Sequence, residues 1–313
     1  MLKALALVRN LNSSASGLDF GEFTINPVGP RFNELRQVFS SLDVNPDDWI
    51  FEKFYSQADS LVEAIAPGIE EVLLLLRLYD VGDIAFVKLA TIAQSGYTAI
   101  RPYRAMNDLN SYSPLKFEIA SEKCESWKAF ADGIRESRSW SSDWFAAARR
   151  FFLSGGAKPF NPARDDVDRI VDYVTALEST LVPENGYNIR RITRRAATLI
   201  APDNPAEKEV VVNFMKKLYA IRSQIVHGSR LADKNREWLF ENCSQVELRV
   251  RQILRAAVQK LPPEEADRRV ALAGLYDPTD EDRGSFVFEK FSEIKEAEVR
   301  KAIATKIARL VGE

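Results

Sequence analysis

Between residues 166 and 260 the apolar residues repeat with the period of an α-helix in four successive runs, and this pattern constrains the fold more than any other feature. In DVDRIVDYVTALESTL, residues 166–181, the apolar positions 167, 170, 171, 174, 177 and 181 follow the i, i+3, i+4, i+7 rule of one helix face. Pro183 and Gly186 end that run. A second helix is expected over about 188–200, carrying Arg190, Arg191, Arg194 and Arg195. Asp203, Asn204 and Pro205 give the N-cap and early proline of a third. That helix should run over about 206–227, with Val210, Phe214, Leu218, Ile221 and Ile225 in one stripe and Gly228 just past its end. A fourth, over about 233–260, presents Trp238, Val246, Val250, Ile253, Leu254 and Ala257 and stops before Pro262 and Pro263. Amphipathic helices with short joints are the signature of a bundle.

The first half reads differently. LDFGEFTINPV, residues 18–28, partly alternates and ends at a proline, as a strand and turn do, while residues 48–55 are aromatic and β-leaning. A buried helix is expected from near Pro67 to Tyr79, and residues 115–119 alternate again. Trp140, Trp144 and Phe151 lie at helical spacing, and such a stripe is more often core than a ligand platform. The segment LSGGAKPFNP, residues 153–162, holds two glycines and two prolines and suits a boundary. The expected fold class is therefore mainly α: a mixed α+β domain over 1–160, a helical bundle over 161–262, and a tail over 263–313 with a polar loop and an amphipathic helix at 292–310.

Composition narrows the chemistry. Lys and Arg number 43 and Asp and Glu 45, so no global field points to nucleic acid. The charge is local, however: residues 186–260 carry +8 and the remainder −10. A basic helical face is what a phosphate-contacting surface needs, although a solvated face gives the same count. Cys124 and Cys243 are far apart and form no cluster with histidine, which argues against a zinc site and against a disulfide framework. The longest apolar run, VLLLLRL at 72–78, is interrupted by Arg77 and is too short to span a bilayer. The expectation is a soluble, cytoplasmic chain without membrane contact or cofactor.

The only histidine, His227, closes the third helix, five positions after Arg222. At a helix C-terminus an imidazole can simply cap carbonyls and meet the negative end of the dipole. With no other histidine, metal ligation is disfavoured. A third role is proton transfer, for which an unperturbed imidazole is suited near neutrality. An arginine nearby would stabilise phosphate charge. Five residues on an ideal helix turn through about 140°, so the two side chains do not share a face. Two copies of the helix meeting across a two-fold axis would pool their pairs.

Three stretches taken together, DRIVDYVTALESTL at 168–181, RRITRRAATLI at 190–200 and LYAIRSQIVHG at 218–228, resemble the Apea-like branch of the HEPN superfamily. The likeness covers about 100 residues, 163–260; more weakly, LDFGEFTINPVGPRF and EEVLLLLRLYDVGDIAF are similar to the first half of longer members. The resemblance implies a dimeric α-helical bundle and a metal-independent ribonuclease of the kind found in toxin, phage-defence and RNA-processing systems. Arg222 and His227 match the family's catalytic pair, with His227 moving protons and Arg222 steadying phosphate charge while the ribose 2′-OH attacks. Cyclic phosphate and 5′-hydroxyl ends would result. The departure is Ser223, which stands directly after the arginine where many active members have Asn, Asp or His, and Ser229 stands where a modified tyrosine occurs in another branch. Glu178 and Ser223 are candidate supports of the site, Arg190, Arg191, Arg194 and Arg195 candidate RNA contacts, and Tyr219 a base-stacking or core residue. Expected partners are RNA, a second copy of the chain and a phage or cellular trigger protein. A catalytically silent RNA- or nucleotide-binding module and a regulatory dimer are the alternatives.

Overall fold

The computed structural model describes residues 2–39, 44–55, 62–93, 98–102, 116–158, 160–162, 167–183, 189–228 and 230–275. The chain is mostly helical, with a small antiparallel sheet in its first third. In order it forms β1 (Leu2–Arg9), β2 (Leu11–Asn12), β3 (Leu18–Asp19), β4 (Thr24–Pro27), α1 (Phe32–Val38), β5 (Trp49–Tyr55), α2 (Val62–Tyr79), β6 (Ala85–Ala93), β7 (Thr98–Pro102) and β8 (Phe117–Glu118). Then come α3 (Lys123–Arg135), α4 (Asp143–Gly156), α5 (Arg169–Leu181), α6 (Ile189–Ile200), α7 (Pro205–Val226), α8 (Asp233–Lys260) and α9 (Glu265–Gly274).

The sheet has the order β3-β4-β5-β1-β6-β7, with β1 at its centre, antiparallel to both β5 and β6. Successive side chains of a strand point to opposite faces, and β1 buries both. Leu2, Ala4, Ala6 and Val8 join the main core with α2, while Leu5 and Leu7 join a smaller cluster beneath Leu35 and Phe39 at α1. A strand covered on both sides shows no alternation, so the N-terminal apolar patch LKALALV gives no strand signal by period.

The helix expected from Pro67 begins five residues earlier, at Val62, and Pro67 lies inside it. One missing N–H near the start, at an exposed position, is tolerated because the later part of the helix is buried: Leu74, Leu75, Leu76 and Leu78 have no exposure. It lies between the sheet and α8, which explains why residues 72–78 are all buried.

The segment expected as a boundary, 153–162, begins inside a helix. α4 continues to Gly156 and packs along α5, and one apolar cluster runs from β1 through α2 and α4 to α8. The two glycines permit close approach. A Cβ on Gly155 would stand 2.8 Å from the Tyr173 ring, and one on Gly156 2.3 Å from the Arg77 guanidinium.

Arg77 is itself buried, at the centre of an ionic cluster that joins the two halves. It donates to the carbonyls of Ile84 (3.0 Å), Leu153 (3.1 Å) and Gly156 (2.9 Å). Arg169 pairs with Asp83 and, at 3.0 Å, with Glu247. Arg251 pairs with Glu247 and donates to the carbonyls of Arg77 and, at 3.1 Å, Gly82. The Tyr173 hydroxyl donates to Glu247 Oε1 at 2.8 Å. Burial alone would raise the Glu247 carboxyl, but the charges and hydrogen bonds of Arg251 and Arg169 hold it down at about 2. Burial pushes Asp83 up in spite of Arg169, and pushes the Arg77 guanidinium down. Arg77, which reads in sequence as a polar break, is therefore a core residue.

The expected helices over 166–260 form as α5 to α8. Asn204 caps α7 by accepting from the Glu207 amide at 3.1 Å, with Pro205 next to it. The buried stripe of α7 is Val211, Val212, Met215, Leu218 and Ile221, whereas Val210, expected inside, is 54% exposed. α8 bends at Asn242, whose backbone is not helical. The amphipathic helix expected at 292–310 and the loop before it lie outside the described residues.

Candidate nucleic-acid interface at the ends of α5 and α7

α5 and α7 pack against each other. This brings Glu178, in the last turn of α5, to Tyr219 and Arg222 near the end of α7. The Tyr219 hydroxyl donates to Glu178 Oε1 at 2.9 Å. Arg222 Nη2 lies 3.6 Å from Glu178 Oε2, and its guanidinium lies 5.7 Å from the Tyr219 ring centroid, within cation–π range. Arg222 Nε is buried without a hydrogen-bond partner among the described residues.

α7 ends at Val226, and His227 is its C-cap. The His227 amide donates to the Ser223 carbonyl at 3.1 Å. Gly228 follows with φ of 67° and donates to the Ile225 carbonyl at 3.0 Å, the left-handed turn that a glycine best provides. The His227 side chain is exposed and makes no hydrogen bond among the described residues. Arg222 is half-buried, turned toward α5. The two are thus at one end of one helix but not in contact within a chain, as the five-residue spacing requires. Ser223 is half-buried, and its backbone carbonyl, rather than its hydroxyl, makes the bond to His227.

The four arginines of α6 do not form one face. Arg195 is 3% exposed, and its guanidinium donates to the carbonyls of Leu181 (2.7 Å) and Leu272 (3.0 Å), at the ends of α5 and α9. The expectation that it contacts RNA is corrected: it satisfies carbonyls that helix ends leave unpaired. Arg190, Arg191 and Arg194 are half-buried; Arg194 approaches Glu209 at 3.8 Å, and Arg191 keeps one buried Nη without a partner among the described residues. Arg190 and Arg191 stand in the first turn of α6. Asn235 at the start of α8 adds a network with α7 that was not expected from sequence. It donates to Gln224 at 2.8 Å and accepts from Lys217 at 2.6 Å.

Among the described residues no group of three or more His, Cys, Asp or Glu is gathered as a metal site would need. Among them, too, no helix is long and apolar enough to cross a membrane. No family model, characterised protein or solved structure matches the chain.

Proposed function

We propose that the chain is a HEPN-type, metal-independent endoribonuclease that works as a homodimer. The observation that carries this is the end of α7: an exposed imidazole without a structural partner, five residues after an arginine held in place by Glu178 and Tyr219. A histidine whose only role was to cap a helix would be expected to bond with its ring, and His227 uses its backbone instead. In the proposed reaction His227 takes the proton from a ribose 2′-OH and returns one to the leaving 5′-oxygen. Arg222 stabilises the charge that develops on the phosphate. Because the pair does not meet within one chain, a second copy brings its own pair to the same phosphate. Arg190, Arg191 and Arg194 would lead the RNA to that end. On the resemblance, the setting is antiphage defence or a toxin-like response, and a phage or cellular trigger protein would act through the first half, which the Arg77–Glu247 cluster ties to α5 and α8.

A second reading is a silent RNA-binding module. It is favoured by the Glu178 carboxylate beside Arg222, which partly neutralises the cation that the chemistry needs, and by Ser223.

The deciding experiment is cleavage of labelled structured and single-stranded RNAs in EDTA by the wild type, His227→Ala and Arg222→Ala. Cutting by the wild type alone, leaving cyclic phosphate ends, is the expected result. Equal cutting by His227→Ala rejects the enzyme reading. Salt-sensitive binding without cutting by any of the three selects the binding module.

A further inference from the structure

At the opposite end of α7, about 30 Å from His227 at 1.5 Å per residue, a groove of about 600 Å³ runs between α3, the end of α6 and the last three turns of α8. That volume is in the range of small-molecule sites. Its floor is one stripe of α8, with Arg249, Gln252, Ala256 and Gln259 at successive three- and four-residue steps, flanked by Arg255 and Lys260. Three cations face a single carboxylate, Glu207, and that carboxylate is already paired with Arg249 at 2.5 Å.

The other two cations have no carboxylate within salt-bridge distance among the described residues. Arg255 is half-buried, lies 5.7 Å from the Phe130 ring centroid, and donates to the Tyr79 carbonyl at 3.3 Å. Asp80 acts on it only through space, being bonded to Lys123 at 3.1 Å. Burial pushes the Arg255 guanidinium down from its ordinary value, as expected of a cation without a close counter-charge. Lys260 donates to the Leu199 carbonyl at 3.0 Å and keeps two donors. Across Lys260 the groove adjoins an apolar hollow of about 220 Å³ walled by Leu199, Pro202, Leu261 and Ala271. Cations, amide pairs and an apolar hollow are therefore side by side.

We propose that this groove is a binding site for a nucleoside phosphate. The phosphate is held by Arg255 and Lys260, and the nucleoside lies along the Gln252–Gln259 amides toward the apolar hollow. The groove sets Phe130 of α3 against α8 and the end of α6, so its occupant bridges the first half of the chain and the helices behind it. The site is independent of the ribonuclease reading, being at the other end of α7.

The test is calorimetric titration of the full chain with AMP, ADP and inorganic pyrophosphate. ADP is expected to bind, and pyrophosphate to bind about tenfold more weakly because it cannot use the amides and the hollow. Arg255→Gln and Lys260→Gln should each weaken ADP about tenfold or more through a lost charge-assisted hydrogen bond. Gln259→Glu, at an exposed position, should weaken ADP by repulsion. Absence of nucleotide binding by the wild type overturns the proposal. So do equal affinities for ADP and pyrophosphate, and an ADP affinity unmoved by Gln259→Glu and Lys260→Gln. RNA cleavage measured without nucleotide reports on the other site alone, so failure of one reading is not mistaken for failure of the other.

Discussion

Glu178 and Arg222 face each other across α5 and α7 at 3.6 Å, while Tyr219 bonds the other carboxylate oxygen at 2.9 Å. Both members of the ion pair are partly exposed, so its contribution to stability is about 0–1 kcal/mol. Its consequence is orientation: the carboxylate fixes the guanidinium in the last turn of α7 and also lowers the local positive charge. Glu178→Gln should therefore move two readouts in opposite directions. RNA binding should tighten at low salt, because a negative charge is removed from a basic end. The cleavage rate should fall, because Arg222 is no longer held. Rate and affinity rising together would show that the carboxylate only inhibits.

The α6 arginines separate into two kinds, and mutation should separate them too. Arg195→Ala leaves the buried carbonyls of Leu181 and Leu272 without their donor, at a cost of about 1–3 kcal/mol for each group left unpaired. Arg190→Gln and Arg191→Gln, at half-buried positions, should change stability by less than about 1 kcal/mol and reduce the salt slope of RNA binding by about 0.7–0.9 each. Urea unfolding and a salt titration on the same samples check both. A salt slope unchanged by both substitutions would remove α6 from the RNA path.

The difference between Arg195 and its neighbours was hidden in the sequence for a physical reason. A run of arginines states charge but not direction, and a guanidinium can bury itself only where helix ends supply carbonyls, which is a tertiary fact. Arg77 was concealed in the same way. What could be read was whatever has a period: α5 to α8 stand close to their expected limits because one apolar face and one polar face alternate every turn. β1 and β6 gave no such signal, since strands covered on both sides lose their alternation. Val210 shows the limit of the periodic reading even where it worked, since a stripe one residue away, through Val211, fits the core instead. At the candidate site, the positions of Arg222 and His227 in one helix end were legible, and their separation followed from helix geometry. The approach of Glu178 and Tyr219 required the packing of α5 on α7, and the Asn235 network required α8.

Close packing at the start of the α4–α5 joint gives a sharper test than any surface site. A Cβ on Gly156 would fall 2.3 Å from Arg77 Nη1, and Arg77 cannot retreat without losing three carbonyl acceptors. Gly156→Ala should destabilise by about 1–3 kcal/mol or more through overpacking. Gly133→Ala, where a Cβ meets nothing within 4 Å and the residue is inside α3, should be stabilising by up to about 1 kcal/mol. Thermal melts of the two variants in opposite directions are the expected result. A neutral Gly156→Ala would show that the halves are not locked together at Arg77.

The Glu247 cluster makes a prediction about acid. The folded carboxyl titrates at about 2, below its ordinary 4.5, so it stabilises the fold fully above about pH 5 and loses that contribution as pH falls toward 2. Asp83, pushed up by burial, acts with the opposite sign and offsets part of the loss. Glu247→Gln leaves the guanidinium groups of Arg169 and Arg251 buried with one carboxylate, Asp83, between them, and should cost about 3–5 kcal/mol near neutrality. The difference between wild type and variant should shrink on going from about pH 7 to about pH 3, because over that interval the unfolded chain's carboxyl, at its ordinary value, takes up a proton that the folded one does not. Urea unfolding at several pH values measures it directly. A gap that stays constant down to pH 3 would mean that Glu247 stabilises by its shape and hydrogen bonds to Tyr173, with its charge contributing nothing.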